Sequence, residues 1–419
     1  MSNQLSTEYL TNDDAKIASD LARRCVQCGF CTATCPTFQI TGNELDGPRG
    51  RISLIKGVLE GNKPSSITQF HLDRCLLCRN CETTCPSGVQ YGKLYTIGKK
   101  LVEKKVVRRK SDQILRWFLK NFLLSKFFSF SVQSARIFRF ILPSVLKSKI
   151  PKISSNSSKF KTINIKLTAK KNSRKVLLLT GCVQPALLPN INTSTIKLLN
   201  FCNIGCIITK NTTCCGALKA HLNDKEGSVL QAKQNIDSWW PYVKSGEIES
   251  IVVNASACSL EVKNYHELFP KSSEYYQKAK KISSIAIDLT EMLPFLVDFL
   301  KTKSQYKQSS KLAFHPPCTL QHGQKINGIV EKFFNQLGFE VSIPKNNSNI
   351  CCGSAGTYSV LNPLIANTLR DEKLYELNKL NTEIIISSNV GCIAHLQSGT
   401  EKKVMHWVEF LADNLEKEN

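Results

Sequence analysis

Residues 25–36 read CVQCGFCTATCP, and residues 75–86 read CLLCRNCETTCP. Each run sets three cysteines at two-residue gaps, a fourth after a three-residue gap, and a proline directly behind it. A cubane offers four irons. Two-residue gaps let one tight turn aim three thiolates at three of them, while the fourth cysteine is carried onward to a second cluster. The spacing therefore predicts two 4Fe–4S clusters. Cys25, Cys28, Cys31 and Cys85 would hold one, and Cys75, Cys78, Cys81 and Cys35 the other. Pro36 and Pro86 turn the chain away after the fourth ligand, and Gly29 leaves room for backbone amides beside sulfide. Zinc ribbons use paired CxxC rather than triple runs. The first 24 residues are polar and mixed in charge, unlike an export signal. Thiolates for metal are then the expectation, rather than disulfides.

Working outward, 39 residues (36–74) separate the two runs. This gap holds GPRGR (47–51) and then an apolar-periodic stretch, Ile52, Leu54, Ile55, Val58 and Leu59, which reads as a turn opening a helix. Residues 1–98 are thus expected to form a helical two-cluster ferredoxin domain, of the kind found in respiratory dehydrogenase subunits, not a compact β-rich one. Arg49 and Arg51 either steady the charge of a cluster or simply start a surface helix.

The formal charge is +23, and it is concentrated. Residues 86–175 hold 23 Lys and Arg against Glu103 and Asp112 alone, a net of +21. Within this block, residues 114–146 interleave Trp117, Phe118, Phe122, Phe127 and Phe128 with basic side chains, and no window reaches 18 uncharged apolar residues. Such a segment suits an in-plane amphipathic helix on an anionic membrane surface, a partner subunit, or packing within the chain. No nucleic-acid-binding module accompanies the charge, so none is expected as a partner. Residues 99–173 read as this basic amphipathic segment followed by a Ser-, Asn- and Lys-rich linker (151–173).

A second repeat, with a period of about 136 residues, fills the rest of the chain. Cys182, Cys214, Cys215 and Cys258 recur as Cys318, Cys351, Cys352 and Cys392, each double cysteine being followed by glycine. Short β-rich runs at 175–180, 251–253, 312–314 and 384–387 precede Cys182, Cys258, Cys318 and Cys392, with helical patterns between. This alternation predicts mostly parallel sheets, with the cysteines gathered at strand ends. The expected fold class is multidomain α and α/β: the helical ferredoxin-like domain, then two pseudo-repeated Cys-Cys-Gly domains at 174–300 and 301–419. Four cysteines per copy suit a further metal or redox site. Cys202 and Cys206 have no counterpart in the second copy and read as core thiols, as Trp239 and Trp240 read as core aromatics. His315, His322 and His395 either serve the second cysteine set or cap local structure.

The Cys-Cys-Gly domains resemble those of heterodisulfide reductase subunits. A two-cluster ferredoxin module followed by two of them resembles the iron–sulfur subunits of glycolate oxidase. The stretches GPRGRI (47–52), HPPCTLQHG (315–323), CCGSAGTYSV (351–360), NVGCIAHL (389–396) and HWVEF (406–410) carry the likeness. It implies an electron-transfer subunit with no catalytic residues of its own. FAD-bearing partner subunits would oxidise glycolate to glyoxylate, and electrons would pass to a quinone-type acceptor at the cytoplasmic face of the inner membrane. Related architectures serve anaerobic glycerol-3-phosphate dehydrogenase, D-lactate dehydrogenase and heterodisulfide reductase, and stand as the alternatives. No G-x-G-x-x-G fingerprint occurs here, in keeping with a flavin held elsewhere. In heterodisulfide reductases the last cysteine of each domain is followed by another a few residues on, whereas here Cys258 is followed by Ser-Leu-Glu and Cys392 by Ile-Ala-His.

Overall fold

The structure, a computed structural model, describes residues 5–137, 174–303 and 311–415. The linker read at 151–173 and the end of the basic segment at 138–146 lie outside these residues.

The N-terminal part is helical, as the 39-residue gap implies. Helices Asp13–Arg23, Pro48–Leu59, Ser66–Asp73 and Tyr91–Lys105 pack round a core that includes Leu21, Ile55, Leu72 and Leu94. Local chemistry sets their starts. The Asn12 side chain accepts from Ala15 N–H, Ser65 and Thr68 form a capping box, and Pro48 occupies a first-turn position where its missing N–H costs nothing. Close packing of the 48–59 and 91–105 helices needs Gly98. A Cβ there would lie 2.5 Å from Ile55.

The C-terminal part contains two four-stranded parallel sheets. The first has β1 (Arg174–Leu179), β2 (Ile204–Ile207), β3 (Ser250–Val253) and β4 (Ala286–Asp288), in the order β2-β1-β3-β4. The second has β5 (Lys311–His315), β6 (Glu340–Ser342), β7 (Ile384–Ser387) and β8 (Lys403–His406), in the order β6-β5-β7-β8. The two orders correspond strand for strand, so the cysteine repeat is also a repeat of fold. Helices cover the sheets, and one apolar core runs through both copies, from Val176 and Leu199 to Phe334 and Trp407. Ser256 N–H donates to Ser388 O at 3.0 Å, joining the turns that follow β3 and β7. Cys202 and Cys206 lie in this core, and Trp239 is fully buried against Tyr265.

The basic segment is folded onto the chain. It forms helices Lys110–Phe122 and Lys126–Ile137. Arg108 and Arg116 both pair with Asp73, and Lys120 pairs with Asp224 at 3.1 Å. Burial works to raise Asp73, but the hydrogen bond from Arg108 and the charges of Lys99 and Arg116 outweigh it and hold the carboxyl at about 2. The aromatics divide. Phe128 is buried beside Ala186, with Phe122 packed against it, whereas Trp117, Phe118 and Phe127 are exposed. The segment thus packs within the chain along one stripe, on the first cysteine-rich copy, and leaves a second aromatic stripe outward. Among the described residues, no helix is long and apolar enough to cross a membrane.

Candidate iron–sulfur site

The two cysteine runs fold into matching loops. Gln27 and Gly29 in the first, and Leu77 and Arg79 in the second, take positive φ at equivalent positions. This alternation is strained for non-glycine residues, and it bends the backbone round each sulfur set. Gly29, at φ 86°, also lets the Arg49 guanidinium approach: a Cβ there would sit 3.2 Å from Nη1.

Two recesses result. One, of about 430 Å³, is lined by Cys25, Cys28, Cys31 and Cys85, together with Arg49 and Cys81. The other, of about 310 Å³, is lined by Cys35, Cys75, Cys78 and Cys81, together with Arg51. Pro48, Cys81 and Tyr91 line both, so the two recesses are neighbours. Their solvation differs: Cys28 is exposed, whereas Cys35 and Cys81 are buried. Burial pushes the Cys31 thiol up to about 11 and raises Cys78 and Cys81 further. Without metal these groups hold their protons, so binding iron must release them. An all-sulfur donor set with no histidine or carboxylate lining either recess fits iron–sulfur clusters.

Sequence pattern did not reveal the polar support beneath the second recess. Arg51, 1% exposed, donates from Nε to His71 O at 2.8 Å and from both Nη atoms to Thr37 Oγ1 at 3.2 Å. Buried Asp46 lies 3.7 Å from Arg51, 2.9 Å from His71 Nδ1 and 2.7 Å from Arg74 Nη1. Tyr91 O–H donates to Cys75 Sγ at 3.6 Å, and Leu77 N–H donates to the same sulfur at 3.4 Å.

The repeat cysteines gather at the carboxyl ends of their strands. In the first copy, Cys182 Sγ lies 3.1 Å from Cys214 Sγ. Cys214 is held far below the usual thiol range by hydrogen bonds from Cys182 and Cys215 and by the N–H groups of Gly216 and Leu218. Cys215 also contacts Cys258. In the second copy, Cys318 Sγ lies 3.7 Å from Cys351 Sγ, and Cys352 bridges Cys351 to Cys392. Here all three of Cys318, Cys351 and Cys352 are raised.

The second copy packs directly on the ferredoxin-like module. Cys78 and Cys318 lie against one apolar cluster containing Leu76, Ile350 and Cys351. Asn80 Nδ2 donates to Asn349 O at 3.1 Å, Tyr358 O–H donates to Arg74 O at 3.1 Å, and Thr83 Oγ1 meets His322 Nδ1 at 3.2 Å. The three histidines thus separate. His322 serves this interface, His395 Nε2 meets Ala366 O at 3.0 Å, and His315 alone faces the cysteines.

Two adjacent all-cysteine recesses joined to a duplicated cysteine-rich α/β unit define a two-cluster iron–sulfur protein. Residues 21–89 match the 4Fe-4S dicluster domain family, and residues 176–263 and 312–397 each match the cysteine-rich domain family. The chain is 44% identical over 421 residues, the full length of both, to the glycolate oxidase iron-sulfur subunit of Escherichia coli (strain K12). It is 26% identical to the probable glycolate oxidase iron-sulfur subunit of Bacillus subtilis (strain 168), over 90% of this chain and 89% of that one. It is also 28% identical to lactate utilization protein A 2 of Bacillus cereus (strain Q1), over 58% of this chain and all of the relative. The chain belongs to the glycolate oxidase iron-sulfur subunit family.

Proposed function

We propose that this chain relays electrons out of a flavin-bearing partner that oxidises glycolate, and passes them towards a quinone-type acceptor. The observation that carries the reading is the pair of adjoining four-cysteine recesses, one open at Cys28 and the other closed round the buried Cys35 and Cys81. Cys25, Cys28, Cys31 and Cys85 hold the open cluster, and Cys75, Cys78, Cys81 and Cys35 the closed one. When bound, such clusters take up and release single electrons, which divides a two-electron oxidation into separate steps.

The residues of this chain supply the setting. Cys28 brings one ligand to the surface, where a redox partner can approach. Arg49 and Arg51 place a positive charge beside each recess, which favours added negative charge. The Tyr91 hydroxyl and the Leu77 amide donate to Cys75 Sγ and orient that ligand. Asn80, Tyr358 and His322 hold the second copy against the module, on the side where Cys78 meets Ile350 and Cys351.

The exposed Trp117, Phe118 and Phe127, on helices with inward-anchored arginines, are proposed to rest on the cytoplasmic face of an anionic membrane, near the acceptor. The cysteines Cys182, Cys214, Cys215, Cys258, Cys318, Cys351, Cys352 and Cys392 form the further metal or redox region.

The test uses the complex purified without air. The wild type should hold about eight irons and reduce a dye with glycolate. Cys28→Ser should lose the open cluster, about four irons, together with glycolate-driven dye reduction. Unchanged turnover would refute an obligatory path through that cluster.

A further inference from the structure

His315 ends β5 and is 1% exposed, and neither ring nitrogen has a hydrogen-bond partner among the described residues. A buried imidazole left so costs on the order of 1–3 kcal/mol. Its nearest chemistry is sulfur. A ring nitrogen of His315 and the Sγ atoms of Cys352 and Cys392 lie within 4.8 Å of one another, and all three residues are buried. We propose that His315, Cys352 and Cys392 bind one zinc-class divalent cation, a site present in the second copy only.

A dithiol would use the two sulfurs but leave the histidine unexplained. A metal uses all three. The donor set of one nitrogen and two sulfurs suits a borderline-soft ion and excludes calcium and magnesium, which require oxygen. Two thiolates and a neutral imidazole cancel the charge of a divalent ion, so the closed site stays neutral where a net charge would be costly. Binding releases the two thiol protons to solvent. The size also fits a single ion. Tetrahedral ligands at zinc distances stand about 3.5–3.8 Å apart, whereas the ligands of a cubane are spread by the irons between them.

The first copy provides the contrast. Its counterpart of His315, three residues before the leading cysteine, is Leu179, the last residue of β1. The triad therefore cannot form there, although the cysteines repeat.

The consequence is mechanical. The ion would tie the end of β5 to the Cys-Cys-Gly loop and to the start of helix Val390–Gln397. That loop follows Asn349, whose carbonyl accepts from both Asn80 and His322. A stapled loop holds the second copy against the module.

The test is metal analysis of the full chain, purified without air after growth with zinc and iron supplied. The expected content is one zinc beside about eight irons. Zinc-edge absorption should show two sulfurs at about 2.3 Å and one nitrogen at about 2.0–2.1 Å. His315→Leu copies the first repeat and suits an apolar strand end, so it should fold, keep its iron and lose the zinc. Cys392→Ser should do the same, and Cys258→Ser should keep both metals. Zinc-free wild type, or zinc retained in His315→Leu, overturns the proposal. So does about four extra irons that vanish in His315→Leu, which would assign a third cluster. Iron near zero with the zinc and its sulfur–nitrogen shell in place would refute the relay reading while supporting this one.

Discussion

Replacing Arg51 with methionine keeps most of the side-chain volume and removes the charge. Three losses follow from the geometry. The His71 carbonyl loses its 2.8 Å donor in a buried place, which costs about 1–3 kcal/mol. Thr37 Oγ1 loses two 3.2 Å contacts but keeps its 2.7 Å bond to Asp46 O, so it adds little. Asp46 loses one of three polar partners yet retains His71 and Arg74, so the cost falls short of the 3–5 kcal/mol of a wholly orphaned charge. The sum is about 3 kcal/mol. Hydrogen exchange of the buried amides in helix Pro48–Leu59 reads this locally, without assuming that the whole chain unfolds as one. Protection should fall roughly a hundredfold. The closed cluster should also become harder to reduce, because a cation beside the added electron is gone. Arg51→Lys keeps the charge but reaches fewer acceptors, so its potential should stay close to wild type while protection drops by about tenfold. Unchanged protection and unchanged potential in Arg51→Met would refute the reasoning that Arg51 both braces the recess and biases its charge.

Changing Trp117, Phe118 and Phe127 together to serine removes exposed apolar surface without touching the Asp73 pairs. Cosedimentation with anionic vesicles should fall at least tenfold while iron content holds, and full retention would move the docking surface elsewhere. His406 caps the last helix, accepting from Val408 N–H at 3.1 Å, and burial lowers it to about 3. A depressed histidine contributes stability above its unfolded value near 6.5, and that stability drains as pH falls from there towards 3, at up to about 1.4 kcal/mol per unit. His406→Asn keeps a capping oxygen but no titration, so the difference between wild-type and variant melting temperatures should close as the pH drops. A constant difference would count against it.

What the sequence made legible was local or periodic. The cysteine runs, the helix opened by Pro48 and the inner strands β1, β3, β5 and β7 all announce themselves within a dozen residues. The edge strands β2, β4, β6 and β8, of only three or four residues, did not. A parallel pair is stabilised by distant partners, and a stretch such as Glu340–Ser342 has too little length to show a period. The brace of Asp46, His71 and Arg74 was hidden for the same reason, its members joining only when two helices meet. His315 was visible beside Cys318 but indistinguishable from His322 and His395 until packing gave those two other work. The aromatics of the basic segment left membrane, partner and the chain itself open as neighbours, because composition does not reveal which stripe finds which.

The clamp between Asn80 and Asn349 joins residues 269 positions apart, and that distance is also a delay. During synthesis the cysteine loops leave the ribosome tens of seconds before the turn at Asn349 that packs on them. In that interval Cys75, Cys78 and Cys81 lie open to iron donors and to oxygen alike. Iron arriving before the second copy docks would meet Cys78 in the open, and iron arriving after would meet it already packed against Ile350 and Cys351.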